Sequence, residues 1–296
     1  MSLPSPCFPV PLPWGSYELL RVLHYSLLSE VLYARDTKDG QMVVIKRPTP
    51  TALETWNGRS RLEREALHLS SLDHPAFPRV LEYGTFQGIP YLVMEYCPSL
   101  SLSRLLPRVP KRWSPTLRRR VLALVALDLC SGLRHLHHRQ RLGQVAGTGH
   151  GDLGPGNLLV DSQGRGHIVD LGMAHASLQE RAFVFRTRFP DFAREGLETL
   201  SPEQLDVRSL AATLSLCFQR LDIAHLSPFV VPLDLTPGPG PTTHLQLPES
   251  LDELEGMCKR GLTIDGRVRG KLGDLVASRL KDLPGGVPST GVEPPR

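Results

Sequence analysis

Apolar and polar residues alternate along the first third of the chain and then give way to helical spacing. Tyr17–His24 and Glu30–Asp36 read as strands, followed by the turn Thr37-Lys38-Asp39-Gly40 and a third strand, Met42–Arg47. Asp-Gly between two β-rich runs is a strong hairpin signal. A second pair, 79–86 and 89–96, is separated only by Gln87-Gly88. Between the hairpins Leu62, Ala66 and Leu69 recur at i, i+4 and i+7 with charges opposite, which predicts one amphipathic helix. Beyond Cys97 the pattern turns helical. Residues 121–138 are apolar almost all round, as in a helix buried inside a lobe. A glycine-rich break at 142–149 leads to two short strands, 157–160 and 167–170, joined by a Ser-Gln-Gly-Arg-Gly turn. Helices are predicted again at 206–221 and 249–281, with 232–248 as a loop between them. The pattern is α+β, a β-rich lobe followed by an α-rich lobe.

Composition narrows the class. Of 296 residues 41% are hydrophobic and 22% charged, which suits a folded chain and excludes a disordered one. No apolar run reaches the eighteen or so residues needed to span a bilayer, so no membrane partner is expected. The net charge of +4 is too small to imply nucleic acid. Five cysteines, Cys7, Cys97, Cys130, Cys217 and Cys258, are scattered and never spaced as CxxC, which points to a reducing, cytoplasmic setting. The first residues lack a basic leader and are broken by prolines, so no signal peptide is expected. Gly 26 and Pro 27 are high counts. They concentrate at both ends and in loops. Residues 1–14 therefore read as a Pro-rich tail, 15–283 as one domain with lobes 15–96 and 97–283, and 284–296 as a disordered tail.

Three groups of residues carry chemistry. Lys46 ends the strand Val43-Val44-Ile45-Lys46, and Glu65 lies nineteen residues on, on the predicted helix. His150-Gly-Asp-Leu-Gly-Pro-Gly-Asn157 is followed by Asp170-Leu-Gly172, with five residues from Asp152 to Asn157 and eighteen from Asp152 to Asp170. The segment Tyr91–Leu100 ends a sheet edge whose backbone groups could bond an adenine. In this order the motifs resemble the protein-kinase family, especially bacterial eukaryotic-like Ser/Thr kinases, over about Tyr17 to Leu283. The resemblance implies a bilobal protein-kinase-like fold, a cleft for ATP and Mg2+, and transfer of the γ-phosphoryl to Ser/Thr hydroxyls of proteins. Lys46, held by Glu65, would contact the phosphates, Asp152 would act as the catalytic base, and Asn157 and Asp170 would ligate magnesium. Val31, Val44, Met94, Glu95, Cys97 and Leu159 would enclose the nucleotide, with Met94 as gatekeeper. Asp206 would brace the catalytic loop. Two triplets compete to close the activation segment, Ala193-Arg194-Glu195 and Ser201-Pro202-Glu203. Spacing favours Glu195, with Arg269 as its partner.

The chain also departs from the family pattern. The glycine positions of the phosphate-covering loop fall on His24, Ser26 and Ser29, whose side chains should raise the loop or change its path. Gly151 stands where an Arg often answers a phosphorylated activation loop. Gly154 stands where Ser/Thr kinases usually carry a Lys near the transferred phosphate. Residues 142–149 form an insertion beside the catalytic loop. The alternatives are therefore a pseudokinase serving as a nucleotide-binding or scaffold module, or a small-molecule kinase. His135, His137 and His138 read as the end of a buried helix rather than a metal site. Residues 104–120 hold seven Lys/Arg and no acid, which is either a solvated helix start or a dock for an acidic partner.

Overall fold

The computed structural model describes residues 7–141, 149–174, 176–193, 196–228, 230–231, 244–245, 247–260 and 266–282. The β-rich lobe holds strands β1 (Cys7–Trp14), β2 (Tyr17–Tyr25), β3 (Ser29–Asp36), β4 (Met42–Pro48), β5 (Val80–Phe86) and β6 (Ile89–Glu95). They form one antiparallel sheet in the order β1-β2-β3-β4-β6-β5. Helices α1 (Pro50–Thr55) and α2 (Gly58–Ser70) connect β4 to β5. The Leu62/Ala66/Leu69 face of α2 is buried, as its spacing requires.

One sequence expectation is corrected here. Residues 7–14 are not a tail but an edge strand, paired with β2 through Trp14↔Tyr17, Pro13↔Glu18 and Leu12↔Leu19. Prolines at 9, 11 and 13 sit at alternate positions, so in a regular strand their missing N–H groups fall on one side, which an edge can leave open. Gly15, at φ +60°, makes the tight turn back into β2.

Short strand β7 (Ser99–Ser101) leads to α3 (Leu102–Leu105) and the long helix α4 (Pro115–Arg141). β8 (Leu158–Asp161) and β9 (Gly166–Ile168) complete a three-stranded sheet in the order β7-β8-β9. α4 is buried along much of its length because it runs through the largest hydrophobic cluster, from Val121 to Leu136. An unforeseen helix, α5 (Leu178–Arg188), follows. α6 (Pro202–Arg220) begins four residues before the expected start, since Ser201 and Gln204 form a capping box over its first turn. Ser201-Pro202-Glu203 is thus a helix start. A two-residue ladder joins β10 (Val230–Val231) to β11 (His244–Leu245). The expected helical stretch 249–281 is two helices, α7 (Leu251–Lys259) and α8 (Gly266–Lys281). Residues 142–148, most of the loop 232–248, the tail 284–296 and Glu195 lie outside the described residues. Arg269, expected to pair with Glu195, forks onto Asp128 at 2.6 and 3.0 Å.

Candidate active site

The lobes meet at a buried cation. Lys46 Nζ donates to both Glu65 carboxylate oxygens at 2.7 and 2.8 Å and to Asp170 Oδ1 at 2.6 Å. Lys46 and Glu65 are 5% and 4% exposed, so the pair is dry on the side of the sheet that faces α2. Burial alone would lower the ammonium's pKa, but Asp170 and Glu65 outweigh it and hold Lys46 well above its ordinary value. Burial also pushes Asp170 up, yet the charge and hydrogen bond of Lys46 bring it down to about 2. Asp170 takes φ +70°, a left-handed conformation that Asp tolerates better than most residues. Its Oδ1 also accepts the Gly172 N–H at 3.2 Å.

The loop His150–Asn157, expected to be catalytic, is held by Asp206, which is fully buried on α6. Its carboxylate accepts the backbone N–H of His150 at 2.7 Å and of Gly151 at 2.8 Å, and His137 Nε2 lies 3.0 Å from Oδ2. Thus His137 has a structural partner on the helix end where sequence favoured no metal. His150 fixes the loop from above. Its Nε2 faces the Val169 carbonyl at 3.0 Å, which can only accept, and its Nδ1 faces the Asp152 N–H at 3.2 Å, which can only donate. That geometry selects the Nε2–H tautomer.

On this base Asp152 and Asn157 face each other. Asn157 Nδ2 donates to the Asp152 carbonyl at 2.8 Å and to its Oδ2 at 3.0 Å. With the amide nitrogen committed, the hard carbonyl Oδ1 is the atom Asn157 can offer a cation. Asp170, two-fifths exposed at its side chain, supplies a carboxylate on the other side. These donors fit magnesium. Burial raises the pKa of Asp152, while Arg188 opposes the rise. Arg188 Nη1 lies 2.6 Å from Asp152 Oδ1 and 3.3 Å from the Asp152 carbonyl. Sequence reasoning missed this arginine, because its contact is made across thirty-six residues.

Of the expected nucleotide-enclosing residues, all but Cys97 lie on strands. Val31 pairs across the sheet with Lys46, and Val44 with Met94. Met94 is buried, whereas Val31, Val44 and Leu159 are half-buried. Glu95 is exposed, and its N–H donates to the Arg79 carbonyl. The Cys97 carbonyl accepts from Ser99 Oγ at 2.9 Å. The Glu95 N–H is therefore taken, while the Cys97 carbonyl keeps a second lone pair free for a donor. Cys97 Sγ stands 3.8 Å from His167 Nε2.

The loop expected to cover the phosphates is bonded to itself. Ser26 Oγ accepts the Leu28 and Ser29 N–H groups at 3.3 and 3.0 Å, amides that a glycine loop would leave for a ligand. Thr49, at the start of α1, then ties down the Leu27 and Leu28 carbonyls.

A two-lobed chain whose buried Lys–Glu–Asp cluster faces an Asp–Asn pair on a braced loop has the architecture of a protein kinase. The profile described as "Protein kinase domain" matches residues 25–192, more than half of the chain, and the chain belongs to that family. It is 27% identical over 264 residues to serine/threonine-protein kinase PknD of Mycobacterium tuberculosis, which covers 83% of this chain and 37% of PknD. It is 30% identical over 224 residues to probable serine/threonine-protein kinase SCO3848 of Streptomyces coelicolor, covering 73% of this chain and 31% of that protein. The chain spans about a third of the length of these relatives. The crystal structure of the M. tuberculosis PknI kinase domain has the same fold, with a TM-score of 0.52 and 21% identity over 92% of this chain and 98% of that one. Among the described residues no helix is long and apolar enough to cross a membrane.

Proposed function

We propose that the chain transfers the γ-phosphoryl group of ATP to Ser or Thr hydroxyls of proteins. The observation that carries this reading is the intact set of five polar residues, with Lys46 bridging Glu65 and Asp170 across the cleft and Asn157 holding Asp152. Magnesium, when bound between Asn157 and Asp170, would neutralise charge on the phosphates. Lys46 orients the phosphates because two carboxylates fix its ammonium. Asp152 orients the acceptor hydroxyl and takes its proton. The hydroxyl oxygen bonds to the γ-phosphorus, the bond from that phosphorus to the β,γ-bridging oxygen breaks, and its electron pair leaves with ADP. The names of the relatives support Ser/Thr acceptors. Free thiols at Cys97, Cys130, Cys217 and Cys258 support a reducing, cytoplasmic setting.

The basic stretch supports an acidic partner only in part. Arg104, Arg118 and Arg119 aim guanidinium groups at the carbonyls of Leu23, Leu221 and Arg260 and so brace the fold.

Phosphoryl transfer from labelled ATP to generic protein acceptors should fall about 10²- to 10⁴-fold in Asp152→Ala. Equal rates in the two proteins would sink the reading. The self-bonded loop at Ser26 favours a second reading, a pseudokinase module. Thermal stabilisation by Mg-ATP counts against that alternative, and its absence supports it.

A further inference from the structure

Glycine at 154 has a reason other than its backbone. Gly149 and Gly151 adopt φ +70° and +82°, where side chains are strained, but Gly154 does not lie in that region. The space a side chain would enter there is taken by Arg188, whose guanidinium would have to give way. A Cβ on Gly154 would lie 2.9 Å from both Cδ and Cζ of Arg188 and closer still to Nη1. Gly154 is buried beneath this guanidinium, which reaches on to the Asp152 carboxylate.

The arm that delivers Arg188 is firmly built. A Ser177/Glu180 capping box starts α5, and Phe185 and Phe189 fasten it to a cluster with Phe192, Leu197, Leu205 and Ala212. Arg186, two residues earlier, pairs with Glu198. Arg188 is the last residue of α5, where the helix dipole favours a cation. Its side chain rests on Asp152 and Gly154 and is 36% exposed.

We infer that Arg188 is the positioning residue of the catalytic loop. From the segment after Asp170 it supplies a positive charge that residue 154 does not carry, holding Asp152 aimed and facing the transferred phosphoryl group. Charge builds there during transfer, and a fixed guanidinium lowers that cost without reorganising. Gly154 and Arg188 form a matched pair, one vacating the space the other fills. The inference rests on the phosphotransfer reading.

The test is a charge relocation, measured as steady-state phosphoryl transfer by the full chain. Arg188→Ala should lower kcat about 10²-fold or more. KM for ATP should move less than about threefold, because Lys46 still holds the phosphates. Arg188→Lys should keep part of the rate. Gly154→Lys alone should be impaired, since its side chain meets Arg188. Gly154→Lys with Arg188→Ala should recover at least about tenfold over Arg188→Ala. Phe183→Ala, exposed on the same helix, should leave the rate unchanged. Arg188→Ala as fast as the unaltered chain, or faster, overturns the inference, and a faster variant would make the contact an autoinhibitory plug. An unaltered chain no faster than Asp152→Ala removes the phosphotransfer reading, and with it this role.

Discussion

At the scale of single residues the cleft depends on one buried cation serving two carboxylates. Removing only the cation is the costliest change, because Glu65 is left as an unpaired charge in a dry site. Lys46→Met should lower stability by about 3–5 kcal/mol, read as a lower urea midpoint at constant m. Lys46→Met combined with Glu65→Leu should recover most of that loss, since Asp170 keeps access to water through its half-open side chain. Both variants should be inactive. If the double variant is no more stable than the single one, burial of Glu65 is not what makes the cluster sensitive. Arg188 shows what sequence cannot display. Its role depends on the end of α5 lying over a glycine thirty-four positions earlier, and no local pattern encodes that approach.

At the scale of elements, legibility followed the range of the interaction. Hairpins at Asp39-Gly40 and Gln87-Gly88, the amphipathic face of α2 and the buried α4 are set by neighbours within a few residues, so their patterns show in the chain. Helix α5 had a readable start in Ser177 and Glu180 but no clean apolar stripe, since Phe183 is exposed while Phe185 is buried. The strand pair β8–β9 was legible, but not the charge that locks it. Asp161 Oδ1 accepts the Gln163 and Arg165 N–H groups within the turn, and Oδ2 faces His167 Nε2 at 2.9 Å. Burial pulls the His167 pKa down, but Asp161 and, behind it, Cys97 prevail and push it up to about 10. A pKa raised above the unfolded value means the contribution is whole below about pH 6.5 and fades as pH rises toward 10. His167→Gln should therefore cost about 2 kcal/mol at pH 6 and progressively less toward pH 10, measured by urea unfolding at each pH. A gap that stays constant over that range would show that the pair is not charged.

At the scale of the molecule, the β-rich lobe is closed by a residue that sequence placed in a tail. The sheet curls until Trp14, on edge strand β1, meets Phe86 and Tyr91 of the far pair β5–β6, with ring centroids 5.2 and 4.8 Å away. Arg47 of β4 lies over the same indole at 5.4 Å. Tyr17 and Tyr91 both donate to the Glu82 carboxylate, tying β2 and β6 to β5 around the same corner. Trp14 is 7% exposed and belongs to the core of this lobe with Leu19, Leu32 and Ile45. An indole enclosed in this way cannot be shaved to a methyl without leaving a cavity, so Trp14→Ala should cost about 3–5 kcal/mol. For a chain of this size that is roughly a 10 °C fall in melting temperature. Leu12→Ala on the same strand, 46% exposed, should change stability by less than about 0.5 kcal/mol. Starting the chain at residue 15 should reproduce at least the full loss of Trp14→Ala, because it removes the indole together with its strand. None of these changes touches Lys46, Asp152 or Arg188, so the phosphoryl-transfer rate well below the melting temperature should hold. A truncated chain as stable as the whole would mean that β1 is an ornament on the sheet rather than its closing strand.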